Sequence, residues 1–442
     1  MTVRRLVAWL DKQRVGAIEE EAGLWRFVYD EAWTRFPLSP ALDPKASPIV
    51  DGATKRPVQW YFDNLLPEEG QRALLAKDAK IDQADAMGLL AYYGRESAGA
   101  LTLLPESEFV PDADGLRPLQ DARLSERIRQ LPALPLTHAA TKRMSLAGAQ
   151  HKLAVVVRDG VLYEPLGSEP STHILKPDHP DQDFAHSVIN EWFVMKLAAS
   201  MGLEVPWVDR RYVPEPVYLV ARFDRQDDGG QTRRIHAIDA CQLLGLAPLF
   251  KYKEGSIDAL RQLADQCQLR AAARLRMFRW LAFNVLVGNG DAHLKNLSFL
   301  VDERGVNISP HYDLLSTSAY DTKAMGKDAW PQLSELAWTI RDKLKFADMS
   351  TELLVAAGSD LGINSSATTR ILMDMAGRID ARAEVLLANL VHENRQIVAA
   401  RPELGVTLAG EERCIRAIVH IVIREMSSRL RQTRMQGLGF GA

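Results

Sequence analysis

The hydrophobic periodicity of the chain changes near Asp239, and this change limits the folds open to the sequence. Before Asp239, short alternating runs such as LVAWL, RVGAI and LWRFVY are typical of strands with one buried face. After it, apolar residues recur at helical spacing almost to the end, interrupted near residues 288 to 318 by a loop and the apolar run LSFLV. The sequence therefore predicts an α+β protein with a strand-rich first part and a large helical second part.

Breaks in this pattern predict four segments. Residues 1–110 form a small N-terminal α/β subdomain, with helices near residues 68–77 and 85–93 and a closing strand at ALTLLPE. Residues 111–140 are polar and punctuated by proline, which favours a linker. A strand-rich segment at 141–236, containing a helix from about Phe184 to Ser200, then leads into a helical segment at 237–442, whose last helix is expected from about Glu411 to Met435.

Composition excludes several classes of protein. The 442 residues are 47% hydrophobic and 25% charged, as in an ordinary globular protein, and the net charge of −3 argues against a general positive field for nucleic acid. The basic residues Arg341, Lys343 and Lys345 form a possible local patch, although a solvated helix face is the simpler interpretation. Direct DNA binding by this chain is therefore not the primary expectation.

Cysteine usage and hydropathy indicate a location in the cytoplasm. The three cysteines are far apart and lack CxxC spacing, which excludes a disulfide scaffold and disfavours a cysteine-based zinc site. The opening apolar run is too short for a signal peptide, and no stretch approaches the ~18 apolar residues of a transmembrane helix. We expect neither secretion nor membrane insertion.

The stretch GNGDAHLKNLSFL carries the residues that phosphoryl transfer requires. Asp291 is followed five positions later by Asn296, which matches the D-x-x-x-x-N spacing of a kinase catalytic loop, with Lys295 available to offset phosphate charge. Asp313, in SPHYDLLS, follows at a distance that allows one β-hairpin and supplies a second carboxylate for Mg²⁺. Asp291 and Asn296 by themselves also fit an ordinary turn, since Asp and Asn favour turns. Their position between a helix and a strand favours the catalytic interpretation.

The preceding segment supplies further possible nucleotide ligands. Lys176 ends the strand THILK, where a buried ammonium is costly unless it meets an anion such as a phosphate. Glu191 on the next helix is a possible partner for that lysine, or both residues are exposed charges. The Gly-containing loop SLAGAQHK, Ser145 to Lys152, fits either a phosphate cradle or an ordinary loop. The backbone of VARFDR fits either an adenine contact or a simple strand end.

Taken in order, these segments resemble the HipA family of bacterial Ser/Thr protein kinase toxins. The resemblance runs from residue 1 to about 320 and is weaker beyond. It is carried by the segments YFDNLLPE, GRESAGALTLLPE, SLAGAQHKLAVV, THILKP, the Asn190-Glu191 pair, RFDR, DACQLLG, GNGDAHLKN and HYDLLS.

The resemblance implies a bilobal protein-kinase-like fold behind an N-terminal subdomain, with ATP and Mg²⁺ as cofactors. It implies Asp291 as catalytic base, Asn296 and Asp313 as metal ligands, Glu191 as a possible lysine partner and Ser145 as an autophosphorylation site whose modification shuts off ATP binding. The implied ATP-binding residues are Ala147, Gly148, Ala149, Gln150, His151, Lys152, Lys176, Ala221, Arg222, Phe223, His293, Leu294, Lys295, Asn296, Tyr312, Asp313, Leu314 and Leu315.

The resemblance also implies partners. These are a HipB-type helix-turn-helix antitoxin, operator DNA bound mainly through that antitoxin, and a protein substrate such as an aminoacyl-tRNA synthetase, with glutamate-tRNA ligase the first expectation. Two departures from the family pattern are Ala221, where a glutamate is familiar, and His151, where an acidic residue is familiar. A small-molecule phosphotransferase and a non-catalytic, ATP-binding co-repressor subunit remain alternative interpretations.

Overall fold

A computed structural model of the chain describes residues 3–138, 140, 142–144 and 146–432. The chain divides into two compact units, each of which is formed by three separate stretches of sequence. Unit 1 contains Met1–Pro180, Arg211–Lys251 and Leu297–Ser309, and unit 2 contains Asp181–Arg210, Tyr252–Asn296 and Pro310–Ala442.

Unit 1 opens with a five-stranded antiparallel sheet in the order β4-β3-β2-β1-β5. Its strands are β1 (Arg4–Leu10), β2 (Gln13–Glu21), β3 (Leu24–Tyr29), β4 (Ile49–Val50) and β5 (Leu101–Pro105). Three helices lie between β4 and β5: α1 (Pro57–Asp63), α2 (Glu69–Ala79) and α3 (Ala86–Tyr93). In β3 the aromatic residues Trp25, Phe27 and Tyr29 alternate with more exposed ones and are buried, as the alternating sequence pattern predicts.

A six-stranded sheet follows, in the order β10-β11-β9-β7-β8-β6. Its strands are β6 (Ala113–Pro118), β7 (Leu153–Arg158), β8 (Val161–Gly167), β9 (His173–Pro177), β10 (Val208–Tyr212) and β11 (Pro216–Ala221). Leu153, Leu175 and Leu219 lie opposite one another on adjacent strands and are fully buried, so the core fixes the strand register.

Residues 111–140, which the sequence predicts as a linker, instead contain strand β6 and helix α4 (Asp121–Arg129). Strand β6 pairs with β8, and Leu124 on α4 is buried in the core of the sheet. The segment is polar because β6 is an edge strand whose described residues are exposed or half-buried, and because α4 is an amphipathic helix with one buried face.

Two smaller sheets complete unit 1. The hairpin of β12 (Arg225–Asp228) and β13 (Gln231–Arg234) precedes β14 (Ala237–Asp239), which pairs with β15 (Ser298–Asp302), and β15 pairs with β16 (Gly305–Ile308). The short helix α6 (Ala240–Leu244) begins with a capping box at Asp239 and Gln242. Because β15 contains most of the apolar run LSFLV, this run forms one arm of the β15–β16 hairpin, as predicted.

Unit 2 is mainly helical. Its helices are α5 (Ser187–Ser200), α7 (Ile257–Gln266), α8 (Arg270–Val287), α9 (Thr351–Asp360), α10 (Ser365–Ala400), α11 (Gly405–Ala417) and α12 (Arg424–Gln432). Helix α10, 36 residues long, packs against α5, α8, α9 and α12. No helix in the described part of the chain combines the length and the apolar character needed to cross a membrane.

Three sequence predictions for unit 2 differ from the structure. Helix α5 begins at Ser187 and not at Phe184, because His186 has a left-handed backbone that ends the preceding turn. The predicted last helix is divided by a π-helical stretch at Ile418–Ile423. The basic residues at 341 to 345 lie in a hairpin of β17 (Glu335–Ile340) and β18 (Lys343–Lys345) and not on a helix face.

Candidate active site

The loop that carries Asp291 begins where helix α8 ends. Gly288 has a φ of 65°, and its amide closes the helix by donating to the carbonyl groups of Asn284 and Val285. The Asn289 side chain donates to Asn284 Oδ1 at 2.8 Å and accepts from the backbone amide of Asp291 at 3.0 Å. The end of a buried helix thus fixes the backbone position of Asp291.

Asp291 and Asn296 are held together by the fold of the loop. Asn296 Nδ2 donates to the Asp291 carbonyl at 2.8 Å, and the His293 amide donates to the same carbonyl at 2.8 Å. The side chains of Lys295 and Asn296 are buried. Because its amide nitrogen faces the Asp291 carbonyl, Asn296 has Oδ1 as the atom suited to a cation.

The segment that contains Asp313 is joined to this loop by several hydrogen bonds. Tyr312 donates its hydroxyl to the Lys295 carbonyl at 2.8 Å, and Thr317 Oγ1 accepts from the Gly290 amide at 2.6 Å. Asn190 on α5 makes two bonds to the backbone of Ser316, at 2.8 and 2.9 Å. Unit 2 therefore brings Asp291 and the predicted residues His293 to Asn296 together with the predicted residues Tyr312 to Leu315.

Tyr252 is a functional candidate that the sequence reasoning missed. Its hydroxyl donates to Asp291 Oδ1 at 2.6 Å, and its ring meets the His293 ring edge to face with centroids 5.0 Å apart. Tyr252 stands in the polar turn KYKEG, which has no motif and no periodicity to indicate such a contact. Only the fold places it beside Asp291.

The donor atoms in unit 2 suit magnesium bound together with a phosphate ligand. An amide oxygen from Asn296 and a carboxylate from Asp313 are hard oxygen donors, which Mg²⁺ prefers. Among the residues that the structure describes, no group of three or more His, Cys, Asp or Glu side chains is arranged to hold a metal ion. Mg²⁺ bound with a nucleotide usually takes one or two carboxylates from the protein and its other ligands from phosphate and water.

The Gly-containing loop lies in unit 1, and Ser145 lies outside the described residues. Gly148 has a φ of 106°, and a Cβ atom there would lie 2.6 Å from Lys152 Nζ, so the loop conformation favours glycine. Lys152 donates to the Ala147 carbonyl at 2.5 Å. The loop is therefore closed by one of its own side chains.

His151 belongs to the same loop, and its side chain is buried within unit 1. Its Nε2 lies 3.1 Å from Gln71 Nε2. Burial lowers the pKa of His151 to about 4, with a smaller contribution from His179. His151 is therefore neutral at pH 7, and the departure from the acidic residue familiar in the family leaves this position uncharged.

Lys176 and Glu191 are both buried, as a functional lysine and its partner would be. Lys176 lies opposite Tyr218 on the paired strands β9 and β11, with Nζ 5.8 Å from the centroid of the Tyr218 ring. Lys176 belongs to unit 1 and Glu191 to unit 2, so their pairing stays a prediction.

Arg222, predicted to bind ATP, is instead occupied within unit 1. Its backbone amide donates to Thr172, and its carbonyl accepts from the Arg225 amide. Its guanidinium bonds to Asp224 at 2.6 and 2.9 Å and to Glu96 at 3.1 Å. We therefore assign Arg222 to the internal structure of unit 1. Ala221 and Phe223, on either side of it, stay predictions for the adenine contact.

The RFDR motif belongs to a buried set of charges that we call the Glu96 cluster. Glu96 bonds to Lys142 at 2.7 Å, to Arg225 at 2.8 Å and to Arg234 at 3.3 Å, in addition to Arg222. The cluster consists of Glu96, Lys142, Arg222, Asp224, Arg225 and Arg234. The cluster connects the GRESAGAL motif to the RFDR motif. In sequence, GRESAGAL precedes the strands of the six-stranded sheet and RFDR follows them.

Comparison with known proteins gives consistent similarities. Family models for the HipA N-terminal domain and the HipA-like C-terminal domain match residues 6–104 and 144–383. The chain is 36% identical over 405 residues to the putative kinase Y4mE of Sinorhizobium fredii. The aligned region covers 87% of this chain and 92% of that protein. This chain is also 31% identical over 380 residues to the serine/threonine-protein kinase toxin HipA of Shewanella oneidensis. The aligned region covers 81% of this chain and 83% of the toxin.

A solved structure extends the similarity to the fold. HipA of Shewanella oneidensis MR-1, in a complex with HipB and its operator DNA, matches 96% of this chain and 99% of that chain with a TM-score of 0.73 and 25% identity. The predicted α+β, kinase-like fold and the predicted family resemblance are both confirmed.

Proposed function

The chain belongs to the HipA family, and from this premise we propose that it is a Ser/Thr protein kinase that uses ATP and Mg²⁺. The observation that carries the proposal is the arrangement in unit 2, where the Asp291–Asn296 loop is bonded to the segment of Asp313 through Tyr312. A base and oxygen ligands for a cation are among the parts that recur at sites of phosphoryl transfer to a hydroxyl.

Each residue has a proposed role in the transfer. When bound, ATP supplies the γ-phosphoryl group, and Mg²⁺ neutralises charge on its oxygens. The carboxylate of Asp291 accepts the proton of the acceptor serine or threonine as that oxygen bonds to phosphorus and the bond from phosphorus to the ADP oxygen breaks. Asn296 and Asp313 hold the cation, and Lys295 and Lys176 offset phosphate charge.

We assign the remaining nucleotide contacts by family resemblance. Residues Ala147 to Lys152, Ala221 and Phe223 are proposed from unit 1, and His293, Leu294, Tyr312, Leu314 and Leu315 are proposed from unit 2. Gly148 supports this assignment, because its positive φ exposes backbone without a side chain, as phosphate-binding loops require. Ser145, the first residue of the SLAGAQHK loop in sequence, is the proposed autophosphorylation site.

The proposed partners follow those named for the Shewanella complex, which contains HipB and operator DNA. We propose that this chain binds a HipB-type antitoxin and reaches operator DNA mainly through it, which the net charge of −3 supports. The proposed substrate class is an aminoacyl-tRNA synthetase, such as glutamate-tRNA ligase. The proposed location is the cytoplasm.

Incubation of the purified chain with γ-labelled ATP and Mg²⁺ tests the proposal. We expect label on serine or threonine of protein, including Ser145, and a loss of about 10²- to 10⁴-fold in Asp291→Asn. Asp302→Asn is a matched control, because Asp302 lies in the β15–β16 hairpin of unit 1 and pairs with Arg304. Label that passes only to small-molecule hydroxyls would favour the phosphotransferase alternative. ATP binding without transfer would favour the co-repressor alternative.

A further inference from the structure

The hydrogen bond from Tyr252 to Asp291 has the geometry of a strong interaction. The 2.6 Å separation of the two oxygens lies in the range of a charge-assisted bond between a hydroxyl and a carboxylate, roughly 2.5–2.7 Å. An ionised carboxylate has about four acceptor positions. Asp291 can therefore keep this bond and still accept a proton from a substrate hydroxyl.

Residues on either side of Tyr252 are bonded within their own units. Lys251, the preceding residue, is buried and pairs with Glu68 at 2.6 Å within unit 1. Within unit 2, Gly255 donates its amide to the Tyr252 carbonyl, and a Cβ atom on Gly255 would lie 2.7 Å from the Trp338 side chain.

Trp338 also bonds to the catalytic loop. Trp338 donates its indole hydrogen to the carbonyl of Ala292, the residue after Asp291, at 2.9 Å. One aromatic side chain therefore contacts the turn of Tyr252 and also bonds to the loop of Asp291. The position of the Tyr252 backbone is consequently fixed with respect to the carboxylate that its hydroxyl meets.

We infer that Tyr252 is a positioning residue for phosphoryl transfer, because its phenol holds the Asp291 carboxylate in the orientation that accepts the proton of the acceptor hydroxyl. Asn289 fixes the backbone of Asp291, and Tyr252 fixes its side chain. The inference rests on the proposed role of Asp291. Because Tyr252 acts through Asp291, it contributes to the rate of transfer and not to the affinity for ATP.

The test is Tyr252→Phe, which removes only the hydroxyl. We expect kcat for ATP-dependent phosphoryl transfer to fall about tenfold with the Kd for ATP unchanged, since small errors in the position of a reacting group cost large factors in rate. Tyr163→Phe is the matched control, because Tyr163 lies on β8 in unit 1 and should keep the rate of the unmodified chain. In an Asp291→Asn background, Tyr252→Phe should cause no further loss, since two residues that act as one unit are not additive.

Three results would overturn this inference. An unchanged rate in Tyr252→Phe would show that the hydrogen bond has no catalytic role, and a faster rate would show that the hydroxyl obstructs the base. An equal loss in the Asp291→Asn background would show that Tyr252 acts independently of the base. Full activity of Asp291→Asn would instead refute the proposed function itself, so the two failures are distinguishable.

Discussion

Replacement of Glu96 by glutamine should destabilise unit 1 severely. Glu96 is fully buried and bonds to four cations, Lys142, Arg222, Arg225 and Arg234. Glutamine keeps the size of the side chain but removes its charge and directs an amide donor at other donors. Asp224 then remains as the only anion of the Glu96 cluster and pairs with Arg222 and Arg225, whereas Lys142 and Arg234 lose their buried carboxylate partner.

The magnitude follows from the burial of these charges. Removal of one member of a buried ion pair typically costs about 3–5 kcal/mol, because the partner charge is left without compensation. Burial opposes ionisation of Glu96, but the surrounding cations outweigh it and hold the pKa of Glu96 well below its ordinary value. A carboxyl with a lowered folded pKa stabilises fully above its unfolded pKa and loses that contribution as the pH falls towards the folded value. The difference in the free energy of unfolding of unit 1 between the unmodified chain and Glu96→Gln should therefore be constant above about pH 5 and shrink in more acidic solution.

Hydrogen exchange followed by mass spectrometry measures this effect separately in each unit. Peptides from β7, β9 and β11 should lose about 10²- to 10⁴-fold in protection in Glu96→Gln, whereas peptides from α10 should not change. Glu106→Gln is the matched control, because Glu106 forms an exposed pair with Arg5 that is worth at most about 1 kcal/mol. Equal protection in the two variants would refute the argument that the buried charges stabilise unit 1.

Other variants test the catalytic loop, the proposed magnesium ligand Asp313 and the stability of unit 2. Gly290→Ala should reduce phosphoryl transfer about 10²-fold, because its Cβ would lie 2.4 Å from the Glu335 carbonyl and displace the loop of Asp291. Gly377→Ala, in open space on α10, should instead stabilise the chain by about 0.5–1 kcal/mol, as thermal unfolding would show. Asp313→Asn should raise the Mg²⁺ concentration that gives half-maximal transfer about tenfold, measured by magnesium titration of the rate. Asn190→Ala should lower the free energy of unfolding of unit 2 by about 2–4 kcal/mol in urea, since two buried hydrogen bonds to Ser316 are lost.

Features that depend on local sequence were predictable. The helix, glycine turn and strand around Asp291 follow from periodicity and from the conformational freedom of Gly288, and the hairpin before Asp313 follows from its spacing. Ordered motifs from YFDNLLPE to HYDLLS identified the family. Each structural signal lies within one short stretch of chain, and the family signal lies in the order of such stretches along the sequence.

Features that depend on distant contacts were not predictable. Glu96 and Arg222 are 126 positions apart, so nothing local indicates that RFDR forms a buried ion network and not only a strand end. Tyr252 meets Asp291 across 39 positions from a turn of ordinary composition. The hairpin of β17 and β18 was missed because the surrounding helical periodicity outweighed the short alternation in ELAWTI.

The central claim is that the carboxylate of Asp291 removes the acceptor proton during transfer from ATP. A single-turnover measurement tests it most directly, with the transfer rate and the Kd for ATP determined on the same samples of the unmodified chain and Asp291→Asn. The account predicts a rate lower by about 10²- to 10⁴-fold with a Kd that changes less than about twofold. Equal transfer rates in the two proteins would contradict it.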